Sequence, residues 1–510
     1  MKNSNSSPSP FSFKKEGEQC LFPLSFAKKG VGSELGRTLI KMRVKWIFQL
    51  FIKGDYNLVD IRKNENYTVE ISGMTHEGQG VGKINGFTVF IDGALRGETV
   101  SIKIIKINKT YAVGKLLHII KEAPGRVTPF CESYKRCGGC NLQHLSYPEQ
   151  LKFKTELVEE SIRRIGKLED VRVLPTLGME NPLYYRNKAQ YPVGLVNGRA
   201  AMGFYAARSH EIIDNSACGI QSETSDRIRS VVRDFILQNN ISVYEEATGS
   251  GLLRHLMVRT GFQTGEVMVV LVINGRELPH REKLVDRLLS RVPEIKSIVL
   301  NVNTRNTNVI LGDTNIRIYG KDTITDYIGR FRFEISPMSF YQVNPVQTRI
   351  LYGKALEYAG LTGEETVFDL YCGIGTISLF LSDKAKKVYG VEVVEEAILD
   401  ARRNADVNGV GNTEFLVGEA EKVIPEMYSQ GVRADVVVVD PPRKGCDEAL
   451  LKTLVDMEPK RIVYVSCKPS TLARDLKYLE ENGYRTVEVQ PVDMFPQTAH
   501  VECVVRINRA

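Results

Sequence analysis

Two sets of thiols and two carboxylates carry the chemistry that can be read from this chain. Three of its nine cysteines crowd between Cys131 and Cys140 with the spacing C-x5-C-x2-C, and that crowding needs a chemical explanation. A separate thiol, Cys467, ends the apolar run RIVYVSC. The apolar run before it, ADVVVVD, ends in Asp440-Pro441-Pro442, where two prolines stiffen the loop and hold Asp440 forward. Strand tips at the carboxyl edge of a parallel sheet are where ligands bind, so Cys467 is expected beside Asp440. Alone, Cys467 would read as a small core filler. Next to a cofactor site it reads as a nucleophile. Further on, FPQTAHVECVV places His500 and Glu502 just before or within another strand. Taken alone, Glu502 would be an exposed strand carboxylate.

The cofactor site lies upstream. VFDLYCGIGTISLFL reads as a strand, a Gly373-Ile374-Gly375 turn and a helix. Glycines at such a turn let a ligand approach the backbone closely. The next strand, KVYGVE, ends in Glu392, nineteen residues after Gly373, which suits a ribose diol. With two glycines instead of G-x-G-x-x-G, S-adenosylmethionine (SAM) is favoured over a dinucleotide.

The elements that must position these residues fall into segments. The 510 residues call for three or four domains. Hydrophobic residues at 43% and charged residues at 25% are ordinary for a folded globular chain. No apolar run approaches the ~18 residues of a membrane helix. The longest, from Val44 to Ile52, contains Lys45 and Gln49. The order of a signal peptide is also missing, and nine cysteines is an odd number, so a membrane or secreted disulfide protein is not expected and a cytoplasmic one is. A net charge of +7 permits a polyanionic partner without requiring one.

Residues 1–60 are expected to be a tail followed by a short helix, with no assignable function. Residues 61–123 hold five alternating runs (TVEISGM, GVGKI, FTVFIDGAL, TVSIKIIKI, YAVGKLLHII) that fit a small barrel of the OB type. Its Lys103, Lys106 and Lys109 make either a solvated face or an RNA-backbone surface. Residues 124–335 read as the cysteine segment and a mixed α+β domain. Residues 336–510 alternate strand and helix, as in an open, largely parallel sheet.

In order, FYQVNP, DLYCGIGT, DPPRKG, YVSCKPSTLARDL and FPQTAHVE resemble the motifs of RNA uracil-5 methyltransferases, from about Glu65 to Arg506. CESYKRCGGCNLQHLSYPEQ and SHEIIDNSACGI look like the ribosomal-RNA branch, which carries a [4Fe–4S] cluster, and the barrel resembles the TRAM module of that branch. The resemblance implies an α/β protein: a Rossmann-like SAM-dependent methyltransferase domain, an α+β central domain and an N-terminal TRAM barrel. It implies methylation of C5 of a uridine in 23S ribosomal RNA by a monomer, with Cys467 adding to C6 and Glu502 as general base. It also implies SAM contacts from Gln342, Tyr371, Glu392 and Asp440, although Gln342 and Asp440 could instead face the uracil. Cys131, Cys137, Cys140 and Cys218 become the cluster ligands, with zinc as the competing occupant. The spacing is not the C-x3-C-x2-C of radical SAM chemistry. Cys20, Cys372, Cys446 and Cys503 are read as incidental. A tRNA uridine, an amino-group methyltransferase and an inactive RNA-binding factor remain as alternatives. Arg443 in place of an aromatic counts against the amino-group enzyme, and an intact Cys467 and Glu502 count against the inactive factor. Residues 1–60 have no counterpart in the family pattern.

Overall fold

Five strands, Asn66–Met74, Gly80–Ile84, Phe87–Ile91, Thr99–Ile107 and Tyr111–Lys121, close into a barrel in the order first, second, third, fifth, fourth. The structure is a computed structural model and describes residues 61–510; the tail and short helix expected over 1–60 lie outside them. Period-2 alternation builds the barrel's core from Val69, Ile71, Val89, Ile91, Val100, Ile102 and Ile104. Gly82 sits where a Cβ would stand 2.3 Å from Val69, so only glycine lets the first two strands approach.

The cysteine segment that follows has little regular structure. It leads into the helix Tyr147–Ser161, which starts with proline in its first turn, where a missing N–H costs nothing. Val158 and Ile162 bury this helix against the C-terminal sheet. The strand Arg172–Val173 then joins that sheet directly, parallel to Tyr484–Val492.

The central sheet has six strands in the order Thr314–Gly320, Ile295–Val302, Val267–Ile273, Leu253–Thr260, Lys188–Val196, Arg199–Met202. Only Val267–Ile273 and Ile295–Val302 run parallel, and helix Arg281–Arg291 is their crossover. That helix and Glu223–Gln238 share one core with the sheet. Arg172–Val173 and three strands of this region were not anticipated from sequence. Thr314–Gly320 is an exposed edge strand with no fully buried side chain. In the hairpin Ile324–Ile328 with Phe331–Ile335, a buried Asp326 interrupts the apolar alternation. Its carboxylate accepts from the Gln263 N–H at 2.9 Å.

The C-terminal sheet has eight strands, in the order Thr413–Val417, Lys387–Glu392, Thr366–Leu370, Val436–Val439, Arg461–Ser466, Glu502–Arg509, Tyr484–Val492, Arg172–Val173. The first five are parallel, and Val436–Val439 is buried throughout, as a strand with both faces covered must be. Glu502–Arg509 is inserted antiparallel between Arg461–Ser466 and Tyr484–Val492.

Candidate active site

The strand Thr366–Leu370 passes the chain to a turn before the helix Thr376–Ser382. In that turn Tyr371, Gly373 and Gly375 have φ of 64°, 54° and 78°. For tyrosine this left-handed conformation costs about 1–2 kcal/mol, strain of the kind that gathers at ligand sites. The Tyr371 hydroxyl donates to Glu421 Oε1 at 2.7 Å. A Cβ on Gly375 would come within 3.0 Å of the Phe415 ring, whereas one on Gly373 would meet no atom within 4 Å. Gly375 therefore serves helix packing, and Gly373 leaves the cavity open. The Glu392 carboxylate accepts from the N–H of Gly373 at 3.2 Å and of Val394 at 3.0 Å, which fixes it at the tip of the neighbouring strand.

Asp440 follows Val436–Val439, and its N–H donates to the Leu370 carbonyl at 3.2 Å. Its recess, followed by the charge of Asp369, pushes its carboxyl up to about 7. Burial raises Asp369 to about 7 as well, against the opposing hydrogen bond from Ser378, which donates at 2.5 Å.

Cys467 and Glu502 are brought together by register. Val465 pairs with Val504 and Ser466 with Cys503, so Cys467 and Glu502 occupy the next positions along the two chains. Burial pushes the Cys467 thiol up to about 11; Glu502 and Asp440 add to the shift and Arg443 opposes it. Glu502 is only 5% exposed, and burial, then Asp440, holds it well above the usual carboxylate range, again with Arg443 opposing. Burial thus opposes ionisation of both Cys467 and Glu502, and Arg443 is the cation that opposes each shift.

Gln342 lies on the loop before the helix Pro345–Ala359. Asn187 Nδ2 donates to its carbonyl at 3.0 Å, and buried Arg259 donates to the carbonyls of Pro337 and Ser339 at 3.3 and 2.5 Å. All six residues singled out from sequence (Gln342, Tyr371, Glu392, Asp440, Cys467 and Glu502) line one cavity of about 1600 Å³. Sequence reasoning missed Asp369 and Glu421, and noted Arg443 only as a non-aromatic residue. The one available signal for Asp369 was an acid inside the buried run VFDL.

A second groove, of about 1870 Å³, runs from the barrel to the same edge. Its walls include Lys115, His118, Arg126, Arg164, Arg208 and Lys468. Arg443, Cys467 and His500 line both spaces. Cys467 thus stands where a basic approach, suited to a phosphate backbone, meets the inner cavity.

Cys131, Cys137, Cys140 and Cys218 share a third cavity, of about 250 Å³, with Arg186 and Lys188. Burial raises Cys140 to about 12 and Cys218 to about 11, and neighbouring thiolates add to both shifts. Burial, then Arg259 and Arg186, pushes Lys188 down to about 8. Among the described residues, no set of three or more His, Cys, Asp or Glu is already closed around a metal-sized point. Four soft donors beside a cationic wall nevertheless fit an anionic thiolate-bound group, either zinc or iron–sulfur.

Known families and structures agree with this architecture. The tRNA (Uracil-5-)-methyltransferase family profile matches residues 266–510, and the TRAM domain profile matches residues 62–117. A protein named an uncharacterized RNA methyltransferase from Clostridium tetani is 55% identical, with 88% of this chain and 97% of that protein aligned. One from Caldanaerobacter subterraneus is 54% identical over 88% of this chain and 99% of its own length. Among solved structures, the Pyrococcus abyssi tRNA (uracil-54, C5)-methyltransferase in complex with S-adenosyl-L-homocysteine superposes with a TM-score of 0.69 at 30% identity, covering 86% of this chain and 99% of that one. The chain therefore belongs to the RNA (uracil-5-)-methyltransferase family, and is a SAM-dependent RNA methyltransferase with a TRAM barrel ahead of its catalytic fold.

Proposed function

We propose that this enzyme methylates C5 of a uridine in 23S ribosomal RNA through a transient bond between Cys467 and C6. The observation that carries this reading is the register that sets Cys467 beside Glu502, on a cavity shared with Gln342, Tyr371, Glu392 and Asp440. SAM, when bound, supplies an electrophilic methyl group on a sulfonium. Gln342, Tyr371, Glu392 and Asp440 hold it, with uracil the other group that Gln342 and Asp440 would face.

C5 of uracil is a poor nucleophile. Addition of the Cys467 sulfur to C6 pushes the C5–C6 π pair into an enolate, and C5 then takes the methyl group. The Glu502 carboxylate accepts the C5 proton, the C5–C6 double bond re-forms, and the C6–S bond breaks to return the thiolate. Cys467 adds as its thiolate, and Glu502 takes the proton as its carboxylate. Arg443 favours ionisation of each, and a cationic sulfonium in the same cavity adds to it. A uridine stacked in a duplex cannot present C5 and C6, so the target is flipped out or single-stranded.

The four cysteines hold a [4Fe–4S] cluster in this reading, with a structural role, and the enzyme acts as a cytoplasmic monomer. The cysteine segment's likeness to the ribosomal-RNA branch supports 23S RNA. A tRNA uridine is the second reading, favoured by the substrate in the name of the Pyrococcus abyssi protein. Mapping 5-methyluridine in 23S RNA and tRNA of a deletion strain decides between them: loss from tRNA alone overturns the ribosomal target. The chemistry is tested by two variants. Cys467→Ala should form no covalent RNA complex and transfer no methyl group. Glu502→Gln should transfer one methyl group and stall, because losing a general base costs ~10²–10⁴-fold, leaving methylated RNA attached on a denaturing gel. Normal turnover by Glu502→Gln would move the base elsewhere, with Asp440 next in line.

A further inference from the structure

Asn141 follows Cys140 directly, and its polar atoms join three parts of the chain. Its Nδ2 donates to the Glu77 carbonyl, between the first two barrel strands, at 2.7 Å. Its Oδ1 accepts from the Ala499 N–H at 2.8 Å. The backbone N–H groups of Asn141 and Leu142 both donate to the Gln497 carbonyl, at 3.1 and 3.0 Å.

The segment that receives these bonds, residues 493–501, belongs to no helix or strand and leads straight into Glu502. Its course is set by side chains from elsewhere. Buried Gln150 accepts from the Gln497 N–H at 3.0 Å and donates to its side-chain oxygen at 3.1 Å. Tyr147 donates to Asp493 at 2.8 Å, and Lys154 forms a fully buried ion pair with Asp493. Gln497 has φ of 71°, a conformation that a non-glycine residue keeps only when its surroundings impose it. Within this network Asn141 is the member next in sequence to a cysteine of the thiol cavity, and it is also a wall of the basic groove. Asn141 is exposed in that groove, so a polyanion seated there would cover its hydrogen bonds and strengthen them by excluding water.

We propose that Asn141 is a positioning residue for methylation: it ties the Cys140 turn and the barrel to Ala499, and so fixes the loop that delivers Glu502 to the C5 proton. The inference rests on Glu502 being the base. It adds that RNA seated on the barrel reaches that base through the Asn141 side chain, which the thiol site also reaches through the neighbouring Cys140.

The test uses full-length, metal-loaded Asn141→Ala and Asn141→Asp with the target RNA and a 5-fluorouridine analogue of it. Asn141→Ala should keep wild-type SAM affinity and metal content and still trap 5-fluorouridine RNA. It should methylate roughly 10–10²-fold more slowly, the effect of a catalytic group displaced by about 1 Å. It should also accumulate methylated RNA attached through Cys467, which a generally loosened protein would not, and exchange the Ala499 amide hydrogen faster. Asn141→Asp keeps the oxygen that accepts from Ala499 but sets a carboxylate oxygen against the Glu77 carbonyl, so it should keep the Ala499 amide protected while recovering only part of the rate. Should Asn141→Ala fail to fold, Asn141→Gln displaces the same amide by one methylene and takes its place in every measurement. Wild-type turnover with no accumulated complex in the alanine or glutamine variant overturns the proposal. Failure of the wild-type enzyme to trap 5-fluorouridine RNA overturns the role of Cys467 instead, so the two failures are distinguishable.

Discussion

In the free enzyme Cys467 should behave as an unusually weak acid. Burial, Glu502 and Asp440 together place its ionisation at about 11, against a reference of 9.0 for a thiol. At pH 8 about 10⁻³ of it is then thiolate, roughly 10²-fold less than for the reference thiol. Because only the thiolate is alkylated, iodoacetamide labelling of the Cys467 peptide, followed by mass spectrometry from pH 7 to 11, reads this directly. The rate should rise about tenfold per pH unit and show no plateau below about pH 10. The sign of each neighbour is also fixed. Asp440→Asn removes an anion, favours the thiolate and should speed labelling at pH 8; Arg443→Met removes the opposing cation and should slow it. A SAM analogue with a cation at the sulfonium position should speed labelling more than S-adenosylhomocysteine, whose sulfur is a neutral thioether. A plateau by pH 9, or slower labelling of Asp440→Asn, would refute the electrostatic account of the site.

Anaerobically purified protein should be brown, with about four irons per chain, and Cys137→Ser or Cys140→Ser should bleach it; colourless protein with stoichiometric zinc would replace the iron–sulfur reading. Gly375→Ala should lower the unfolding midpoint, through about 1–2 kcal/mol of left-handed strain plus its 3.0 Å approach to Phe415. Gly373→Ala carries the same left-handed strain without a clash and should in addition weaken SAM binding, so wild-type SAM affinity there would refute its place in the cavity. Burial, then Arg254, pushes His255 down to about 4. The unfolded chain thus binds this proton first, and His255's contribution to stability is complete above pH 6.5 and is lost as pH falls towards 4. Urea midpoints of wild type and His255→Gln should converge over that window; parallel pH profiles would contradict it.

Much of this protein is written in local sequence, because the physics is local. Alternation in TVSIKI sorts Val100, Ile102 and Ile104 inward before any tertiary contact exists. Gly373 and Gly375 supply left-handed backbone at the turn after Leu370, and the prolines after Asp440 stiffen the tip that carries it. Where a buried polar group replaced an apolar one, as at Asp326, the pattern was silent and a hairpin went unseen. Other features belong to tertiary structure alone. Cys467 and Glu502 become neighbours only because the last strand enters the sheet antiparallel, in a register that no local pattern encodes. The raised carboxyls of Asp369 and Asp440 and the raised thiol of Cys467 come from burial and from neighbouring carboxylates, which meet only once the strand tips converge. In the sequence Asn141 is only the residue after Cys140; folding brings a barrel carbonyl and the Ala499 amide to its two ends. Residue type and spacing set which chemistry was available, and long-range pairing decided which groups meet to perform it.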